Sequence, residues 1–285
     1  MKLKRRLWLC YIRFFTFLFK RKKLGHTVHF NFSATPEASH AEAIDIVTVA
    51  FNNETWIEYQ IKLIRKYIHD KHVTFIVADN SSNPEKRKSI SALCRKYNTG
   101  YISVPKNMIA KHPGGSYAHG TTLNWIYSNV IRLRKPDIFG FLDHDLFPIA
   151  PVSIREKLGD KDFYGSPRGE VYWWLWAGLC FFRFDKVKAL PLDFIPYIEH
   201  KTYLDTGGAN YPILYKNYNL PELRLPLPQN IRITEGNKYH SDYIQIIDDC
   251  WLHAINGSNW NGISPREQET KEDILKARLE QFVQA

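Results

Sequence analysis

Ile44-Asp-Ile-Val-Thr-Val-Ala50 is a run of β-branched and apolar residues that stops at Asn52-Asn53. A short apolar run bounded by turn-forming residues predicts a buried β-strand. From Trp56 to Tyr67 the apolar residues recur at the spacing of a helix, and Asn53 can serve as its N-cap. The globular body therefore begins with a strand that is followed by a helix.

The same alternation continues along the chain. The predicted elements are a strand at 73–78, a helix at 84–97, a short strand at 101–104, a helix at 121–134 and a strand at 138–142. Strands that alternate with helices predict an α/β fold, with a mostly parallel central sheet flanked by helices. In such sheets ligands bind beyond the carboxyl ends of the strands, where Asn52, Asp79 and Asp143 are predicted to lie.

Composition limits the class of protein. The 285 residues are 44% hydrophobic and carry a net charge of +10, but residues 1–23 hold nine Lys or Arg and no acid. Removing these nine from the 39 basic residues leaves 30 against 29 acidic ones, so the rest of the chain is nearly neutral and nucleic acid is not an expected partner. The four cysteines form no Cys-x-x-Cys pair, which indicates reduced thiols and a cytoplasmic compartment.

Residues 1–24 are predicted to form a basic, aromatic helix that associates with a membrane. The thirteen mostly apolar residues at 7–19 lie between two basic clusters. As a helix they span about 20 Å, less than the roughly 30 Å of a bilayer's hydrocarbon core, so we expect the helix to lie on the membrane surface. The alternative is a helix packed on the protein's own body or on an oligomer partner.

The remaining boundaries follow from composition and capping signals. Residues 25–43 show little periodicity and are predicted to be a linker. Residues 44–263 form the predicted catalytic domain. Ser264-Pro265-Arg266-Glu267 has the form of a capping box, which predicts a C-terminal amphipathic helix over 264–285.

Phe139-Gly-Phe-Leu-Asp143-His144-Asp145 ends an apolar run in two carboxylates one residue apart. Residues i and i+2 of a strand point to the same side, so Asp143 and Asp145 can converge on one cation at the end of the strand. Oxygen ligands of this kind suit Mg²⁺ or Mn²⁺, which commonly bind carboxylates together with the phosphates of a substrate. An isolated Asp-x-Asp triplet is a weak signal, but the apolar residues before it indicate a buried strand rather than a surface loop.

The order of these features resembles the GT-A nucleotide-sugar glycosyltransferases, especially the bacterial family-2-like enzymes of surface polysaccharide assembly. The resemblance extends over residues 44–260. The segments that carry it are Ile46-Val-Thr-Val-Ala-Phe-Asn52, Val77-Ala-Asp-Asn-Ser-Ser82, Ser116-Tyr-Ala-His-Gly120, Phe141-Leu-Asp-His-Asp145, Trp176-Ala-Gly-Leu-Cys-Phe-Phe-Arg183 and Leu204-Asp-Thr-Gly207.

The resemblance implies a set of donor and metal residues. By position, Ala50, Asn52, Asp79 and Asp143 would bind the nucleotide, although Asp79 could instead cap the turn that follows it. Asp143 and Asp145 match the family's metal motif. His253 opens a segment like the one that completes metal coordination in many of these enzymes. The implied cofactor is Mn²⁺ or Mg²⁺.

The resemblance also implies residues on the acceptor side. Asp205 stands where inverting members place a general base, but Leu204 replaces the Glu that usually precedes it, and the alternative is that Asp205 caps a turn. His119, Trp176 and Gly178 are the candidates for binding sugar or acceptor. The alternative for Trp176, as for the neighbouring Trp173 and Trp174, is that the side chain is part of the hydrophobic core.

The function implied is a metal-dependent glycosyltransferase of the hexosyltransferase type. It would move a sugar from a nucleotide-sugar donor, by default a UDP-sugar, to a lipid-linked or polysaccharide acceptor with inversion, at the cytoplasmic face of the cell membrane. One alternative is a sugar-nucleotide pyrophosphorylase, which would need a glycine-rich basic loop after the first strand, where this chain has Phe51-Asn-Asn-Glu-Thr55. The other is a non-catalytic membrane-binding protein.

Overall fold

The strands in the described part of the chain form two larger sheets and a two-stranded hairpin. The computed structural model describes residues 2–32, 42–105, 115–259 and 261–285. The strands are β1 (His29–Phe30), β2 (Ile44–Ala50), β3 (Val73–Asp79), β4 (Gly100–Ser103), β5 (Ile138–Asp143), β6 (Leu146–Pro148), β7 (Phe163–Arg168), β8 (Trp174–Arg183), β9 (Tyr197–Glu199), β10 (Thr202–Leu204), β11 (Pro228–Arg232), β12 (Tyr243–Ile247) and β13 (Trp251–His253).

Helices surround these strands. They are α1 (Lys2–Lys20), α2 (Glu54–Tyr67), α3 (Pro84–Lys96), α4 (Gly115–Ile126), α5 (Arg132–Arg134), α6 (Ile154–Leu158), α7 (Phe184–Val187), α8 (Leu220–Leu223), α9 (Tyr239–Asp242) and α10 (Pro265–Gln284), with a π-helical segment, Tyr127–Ile131, joining α4 to α5. Asn53 caps α2 as predicted, since its side chain accepts a hydrogen bond from the Trp56 N–H. The capping box at Ser264 is also confirmed.

The central sheet has seven strands in the order β1-β4-β3-β2-β5-β8-β7. The four strands in its middle, β4, β3, β2 and β5, are parallel, and the strands at the two edges pair antiparallel. The predicted α/β fold with a central sheet flanked by helices is confirmed. Ala50 pairs with Asp79 and Val49 with Asp143, so β2, β3 and β5 end at one edge of the sheet.

A second, antiparallel sheet has the order β11-β12-β13-β6. β6 follows β5 after a two-residue turn, whereas β11, β12 and β13 come from residues 228–253. This sheet therefore joins the late part of the chain to the end of β5.

One face of α1 packs on α4. Ile12 and Phe19 are buried, Thr16 contacts the Thr121 hydroxyl at 3.2 Å, and the Trp125 indole N–H donates to the carbonyl of Lys22. The body-packed alternative therefore holds for this face. The other face leaves Phe14 57% exposed and Phe17 49% exposed.

None of the helices in the described ranges combines the length and the apolar character that a membrane crossing requires. The predicted linker at 25–43 contains β1, the edge strand that pairs with β4, and its residues 33–41 lie outside the described residues.

A buried ion pair fixes the start of β2 against the end of the α4–α5 segment. Arg134 donates from Nε and Nη2 to the two carboxylate oxygens of Asp45 at 2.6 and 2.8 Å, and both side chains are almost fully buried. Removing one partner leaves an uncompensated charge in the core.

We therefore expect Arg134→Leu to lower the free energy of unfolding by about 3–5 kcal/mol. Guanidinium chloride unfolding measures this change. Lys62→Leu is the matched control, because Lys62 pairs with Glu58 at 3.2 Å on the surface of α2 and surface pairs contribute less than about 1 kcal/mol. Equal effects of the two substitutions would contradict the assignment.

Candidate metal centre and its surroundings

Asp143 is the last residue of β5, and Asp145 lies in the turn before β6. The expectation that strand alternation directs both carboxylates was wrong in this detail, because the strand ends at Asp143 and the turn directs Asp145. The side-chain amide of Gln60 on α2 holds this turn by donating to the carbonyls of Asp143 and Leu146, at 2.8 Å each. Gln60 is fully buried, so the turn is anchored from inside the protein.

The three predicted metal ligands come together. Asp143, Asp145 and His253 each place one potential ligand atom so that the three atoms lie within 4.8 Å of one another. His253 reaches the group because β13 pairs with β6, with His253 opposite Leu146. Its Nε2 atom lies 3.6 Å from Oδ1 of Asp145. Two carboxylates and an imidazole at this spacing can hold one divalent cation.

The pKa values of all three side chains in this group are shifted from their ordinary values. Burial, together with the charge of Asp145, raises the pKa of Asp143 to about 7. Burial also acts on Asp145, but the His253 and His144 rings and the Gly257 N–H outweigh it and hold the pKa of Asp145 below its ordinary value. Burial lowers the pKa of His253 to about 4. At neutral pH the imidazole is therefore neutral and has a lone pair for a metal.

A loop from the late part of the chain closes on Asp145. The Gly257 N–H donates to Oδ2 of Asp145 at 2.8 Å, and the Trp56 indole N–H donates to the Gly257 carbonyl at 3.2 Å. A side chain at Gly257 would place its Cβ 2.5 Å from that of Asp145. The buried Lys271 of α10 donates to the carbonyl of Ile255 at 2.7 Å. The C-terminal helix thus supports the loop beside the cluster.

His119 and Asp205 face the same group from other elements. The His119 Nε2 atom lies 3.6 Å from Oδ1 of Asp143. Burial lowers the pKa of His119 to about 4, although the charges of Asp205 and Asp145 oppose this shift. Asp205 directly follows β10 and has an exposed side chain, and its charge also acts on Asp143 and Arg168. The predicted base is therefore open to solvent on one side and close to the cluster on the other.

Trp176 and Gly178 lie near the start of β8. The Trp176 ring packs against the His253 ring with 4.5 Å between centroids, and the Trp176 side chain is partly exposed. A Cβ at Gly178 would come 2.1 Å from the Trp176 ring, so Gly178 provides the space for that ring. Trp173 and Trp174 are buried, which agrees with the core alternative for these two.

Of the four predicted nucleotide residues, Asp143 lies at the end of β5 and the other three at the ends of β2 and β3, where Ala50 and Asp79 are fully buried. The Ala50 carbonyl accepts from the Asn80 N–H at 3.0 Å. The Asp79 carboxylate accepts from the Ser81 N–H at 2.9 Å and from the Tyr101 hydroxyl at 3.1 Å. The structure therefore favours the turn-capping alternative for Asp79.

Asn52 differs from these two because its side chain is partly exposed. Its N–H donates to the Ser81 hydroxyl at 2.8 Å, and its Nδ2 donates to the Ser82 hydroxyl at 2.9 Å. The loops after β2 and β3 are thus held together at the edge of the sheet where Asp143 lies.

The sequence prediction missed Arg168 and Gln245. The Arg168 guanidinium lies over the Trp176 ring, 4.9 Å from its centroid, and donates to Oε1 of Gln245 at 3.2 Å. Gln245 is buried and contacts His253. The residues lie on β7, β12 and β13 of two different sheets, and no local spacing in the sequence links them.

No protein-family model matches the chain, and no curated protein sequence matches it. Among solved structures, a galactosyltransferase, LgtC, in complex with donor and acceptor sugar analogues is 21% identical with a TM-score of 0.37, covering 50% of this chain and 58% of that one. TarS of S. aureus is 14% identical with a TM-score of 0.38, covering 53% and 30%. The mannosyltransferase PcManGT from Pyrobaculum calidifontis, in complex with GDP-Man and Mn²⁺, is 12% identical with a TM-score of 0.36, covering 64% and 55%. This chain therefore spans less than two thirds of each protein's length, and at these scores the likeness does not establish a shared activity.

Proposed function

We propose that this protein is a divalent-metal-dependent glycosyltransferase that uses a nucleotide-sugar donor. The observation that carries the proposal is the group of Asp143, Asp145 and His253 at the edge where the parallel strands end. Its oxygen and nitrogen donors suit Mn²⁺ or Mg²⁺. When bound there, the cation would offset the negative charge of the donor's diphosphate.

The surrounding residues supply roles that fit sugar transfer. Asp205 is the proposed general base, because its carboxylate is exposed to an incoming hydroxyl and its charge acts on the metal group. This role goes with inversion at the sugar. The exposed part of Trp176, beside His253, is the proposed contact for a sugar ring, and His119 is placed to contact donor or acceptor.

The finer assignments are part of the same proposal. We propose a UDP-sugar carrying a hexose as the donor and a lipid-linked or polysaccharide acceptor, with a role in polysaccharide assembly. Among the predicted residues at the ends of β2 and β3, Asn52 is the proposed nucleotide contact, because its side chain is partly exposed. The segment after β2, Phe51-Asn-Asn-Glu-Thr55, has no glycine-rich basic sequence, which disfavours a pyrophosphorylase.

The membrane part of the proposal rests on the outer face of α1. Phe14, Phe17 and Leu18 are 57%, 49% and 42% exposed, and the basic residues Arg13 and Arg21 are exposed on the same helix and just after it. Aromatic rings beside cations favour an anionic bilayer surface. We expect the protein to float with vesicles containing phosphatidylglycerol and Phe14→Ser/Phe17→Ser to remain in the soluble fraction. If the parent protein and the variant float with the vesicles to the same extent, this face of α1 does not bind membranes.

Calorimetric titration with UDP-, GDP-, dTDP- and CMP-sugars tests the donor proposal, with Mn²⁺ and with chelator. Binding of one nucleotide class that depends on the metal would support the transferase and identify its donor. If the folded protein binds none of them, the proposed function is wrong.

Metal binding should depend on pH through Asp143. Its pKa of about 7 means that below neutrality a proton must leave before this carboxylate can coordinate, whereas His253, with a pKa of about 4, is already neutral. We expect the Mn²⁺ affinity to rise about tenfold per pH unit up to neutrality and then to level off. Titration of Mn²⁺ followed by electron paramagnetic resonance measures this, and a flat profile across the same range would contradict it.

A further inference from the structure

Gln245 is a buried amide, 3% exposed, with a partner on each side. Its Oε1 atom lies 3.2 Å from Nη2 of Arg168 and 3.0 Å from Nδ1 of His253. Its Nε2 atom donates to Oδ1 of Asn230 at 3.1 Å and contacts the Tyr239 hydroxyl at 3.0 Å. Both ends of the amide are therefore in hydrogen-bonding contact.

The chemistry of Arg168 determines which way this amide points. A guanidinium only donates hydrogen bonds, so the Gln245 atom that faces it must be the oxygen. The same oxygen faces Nδ1 of His253, and a hydrogen bond between them requires a proton on Nδ1. A neutral imidazole carries one ring proton, so Nε2 is left with a free lone pair. Nε2 is the atom that lies 3.6 Å from Oδ1 of Asp145.

We infer that Gln245 and Arg168 are positioning residues, which hold His253 in the Nδ1–H tautomer so that its Nε2 lone pair faces the metal group. This inference rests on the metal centre of the proposed function. Arg168 orients the Gln245 amide, and the amide oxygen orients the imidazole. Neither residue is among the three that would hold the metal. Hydrogen bonds of this kind to a ligating histidine typically contribute 10- to 100-fold, about 1.4–2.7 kcal/mol, to metal affinity.

The tautomer can be observed without metal. In protein labelled with ¹⁵N-histidine, long-range ¹H–¹⁵N correlation distinguishes protonated from unprotonated ring nitrogens, and a His253→Asn variant identifies the signals of His253 among the 11 histidines. We expect protonated Nδ1 and unprotonated Nε2 in the metal-free protein. A protonated Nε2 would overturn the inference.

Substitutions at Gln245 separate positioning from packing. Gln245→Leu removes the acceptor, so we expect both tautomers to appear and Mn²⁺ affinity to fall by about 10- to 100-fold. Gln245→Glu keeps oxygen toward Arg168 and His253, and should retain the Nδ1–H tautomer with Mn²⁺ affinity at least that of the parent. Asn230→Ala is the matched control, because it removes a partner from the opposite end of the amide. If Asn230→Ala and Gln245→Leu weaken Mn²⁺ binding equally, Gln245 acts only through packing.

Arg168→Met tests whether Arg168 orients the Gln245 amide. Removing a cation near the site would by Coulomb's law alone strengthen binding of Mn²⁺. If Arg168 orients the amide, the Nε2–H tautomer should now appear in the metal-free spectrum. A spectrum that shows only Nδ1–H would exclude Arg168 from this role.

The two levels of proposal fail differently. If the parent protein binds no Mn²⁺, the proposed function is wrong and the tautomer has no role in metal binding. If the parent binds Mn²⁺ but carries a proton on Nε2 of His253 before binding, the proposed function stands and the positioning inference alone is wrong.

Discussion

Asp145→Asn should abolish Mn²⁺-dependent donor binding and lower sugar transfer by at least about 10²- to 10³-fold, the loss typical when one charge-stabilising group is removed from a site. Asp145 is one of the three residues of the metal group, and its Oδ2 accepts from the Gly257 N–H. Asn removes the charge but keeps an oxygen for Gly257. The variant should therefore fold normally and lose the metal.

Three comparisons make this result specific. Asp145→Ala also removes the acceptor for the buried Gly257 N–H. It should therefore lower the free energy of unfolding by about 1–3 kcal/mol relative to Asp145→Asn. Asp273→Asn on α10, 69% exposed, is a matched carboxylate substitution that should leave donor binding unchanged. Transfer that continues in chelator, or in Asp145→Asn at the parent rate, would show that the reaction needs no metal here. Calorimetry and initial-rate measurements provide both readouts.

Elements set by local sequence were predictable. The apolar run at 44–50 is the strand β2, and Asn53 caps α2 through the Trp56 N–H. These features depend on residues within a few positions of one another, where periodicity and capping chemistry act. The position of Asp143 at the edge of the sheet followed from the same reasoning, because parallel strands end together.

Features that depend on distant pairing were less accessible. The resemblance pointed to His253, but nothing local in the sequence showed that β13 would pair with β6, more than a hundred residues earlier in the chain. Gln60 falls within the predicted helix from Trp56 to Tyr67, but the contacts of its side-chain amide with the turn at Asp143 form only in the packed structure. Arg168 and Gln245 were missed for the same reason. Side chains from separate sheets meet only after the sheets have packed.

The helix α1 shows another limit. An apolar stripe beside basic residues favours a membrane surface and a protein surface alike, because both remove apolar area from water. The sequence could not decide between them, and the structure shows one face packed on the protein and another left exposed: Ile12 and Phe19 are buried on α4, whereas Phe14 and Phe17 remain exposed. Periodicity identifies the stripe but not the surface that covers it.

Asp205→Asn should lower the turnover number by about 10²- to 10⁴-fold and leave donor binding unchanged. The substitution keeps the size of the side chain and removes its capacity to take a proton from the acceptor hydroxyl. Asp205 is exposed, and its contacts with the hydroxyls of Tyr203 and Thr206 are long, at 3.5 Å each, so little stability depends on it. A fall in turnover without a fall in unfolding temperature or donor affinity would therefore identify a catalytic role.

The alternative for Asp205 is a turn cap before Gly207, whose positive φ of 93° favours glycine. A cap contributes to stability and not to proton transfer, so the two roles predict opposite outcomes for the same variant. Asp273→Asn, on the exposed surface of α10, is the matched control and should change neither the turnover number nor the unfolding temperature. If Asp205→Asn retains full turnover with donor binding intact, Asp205 is not the base. Product analysis then decides between inversion and retention at the sugar, because the inverting proposal depends on this carboxylate.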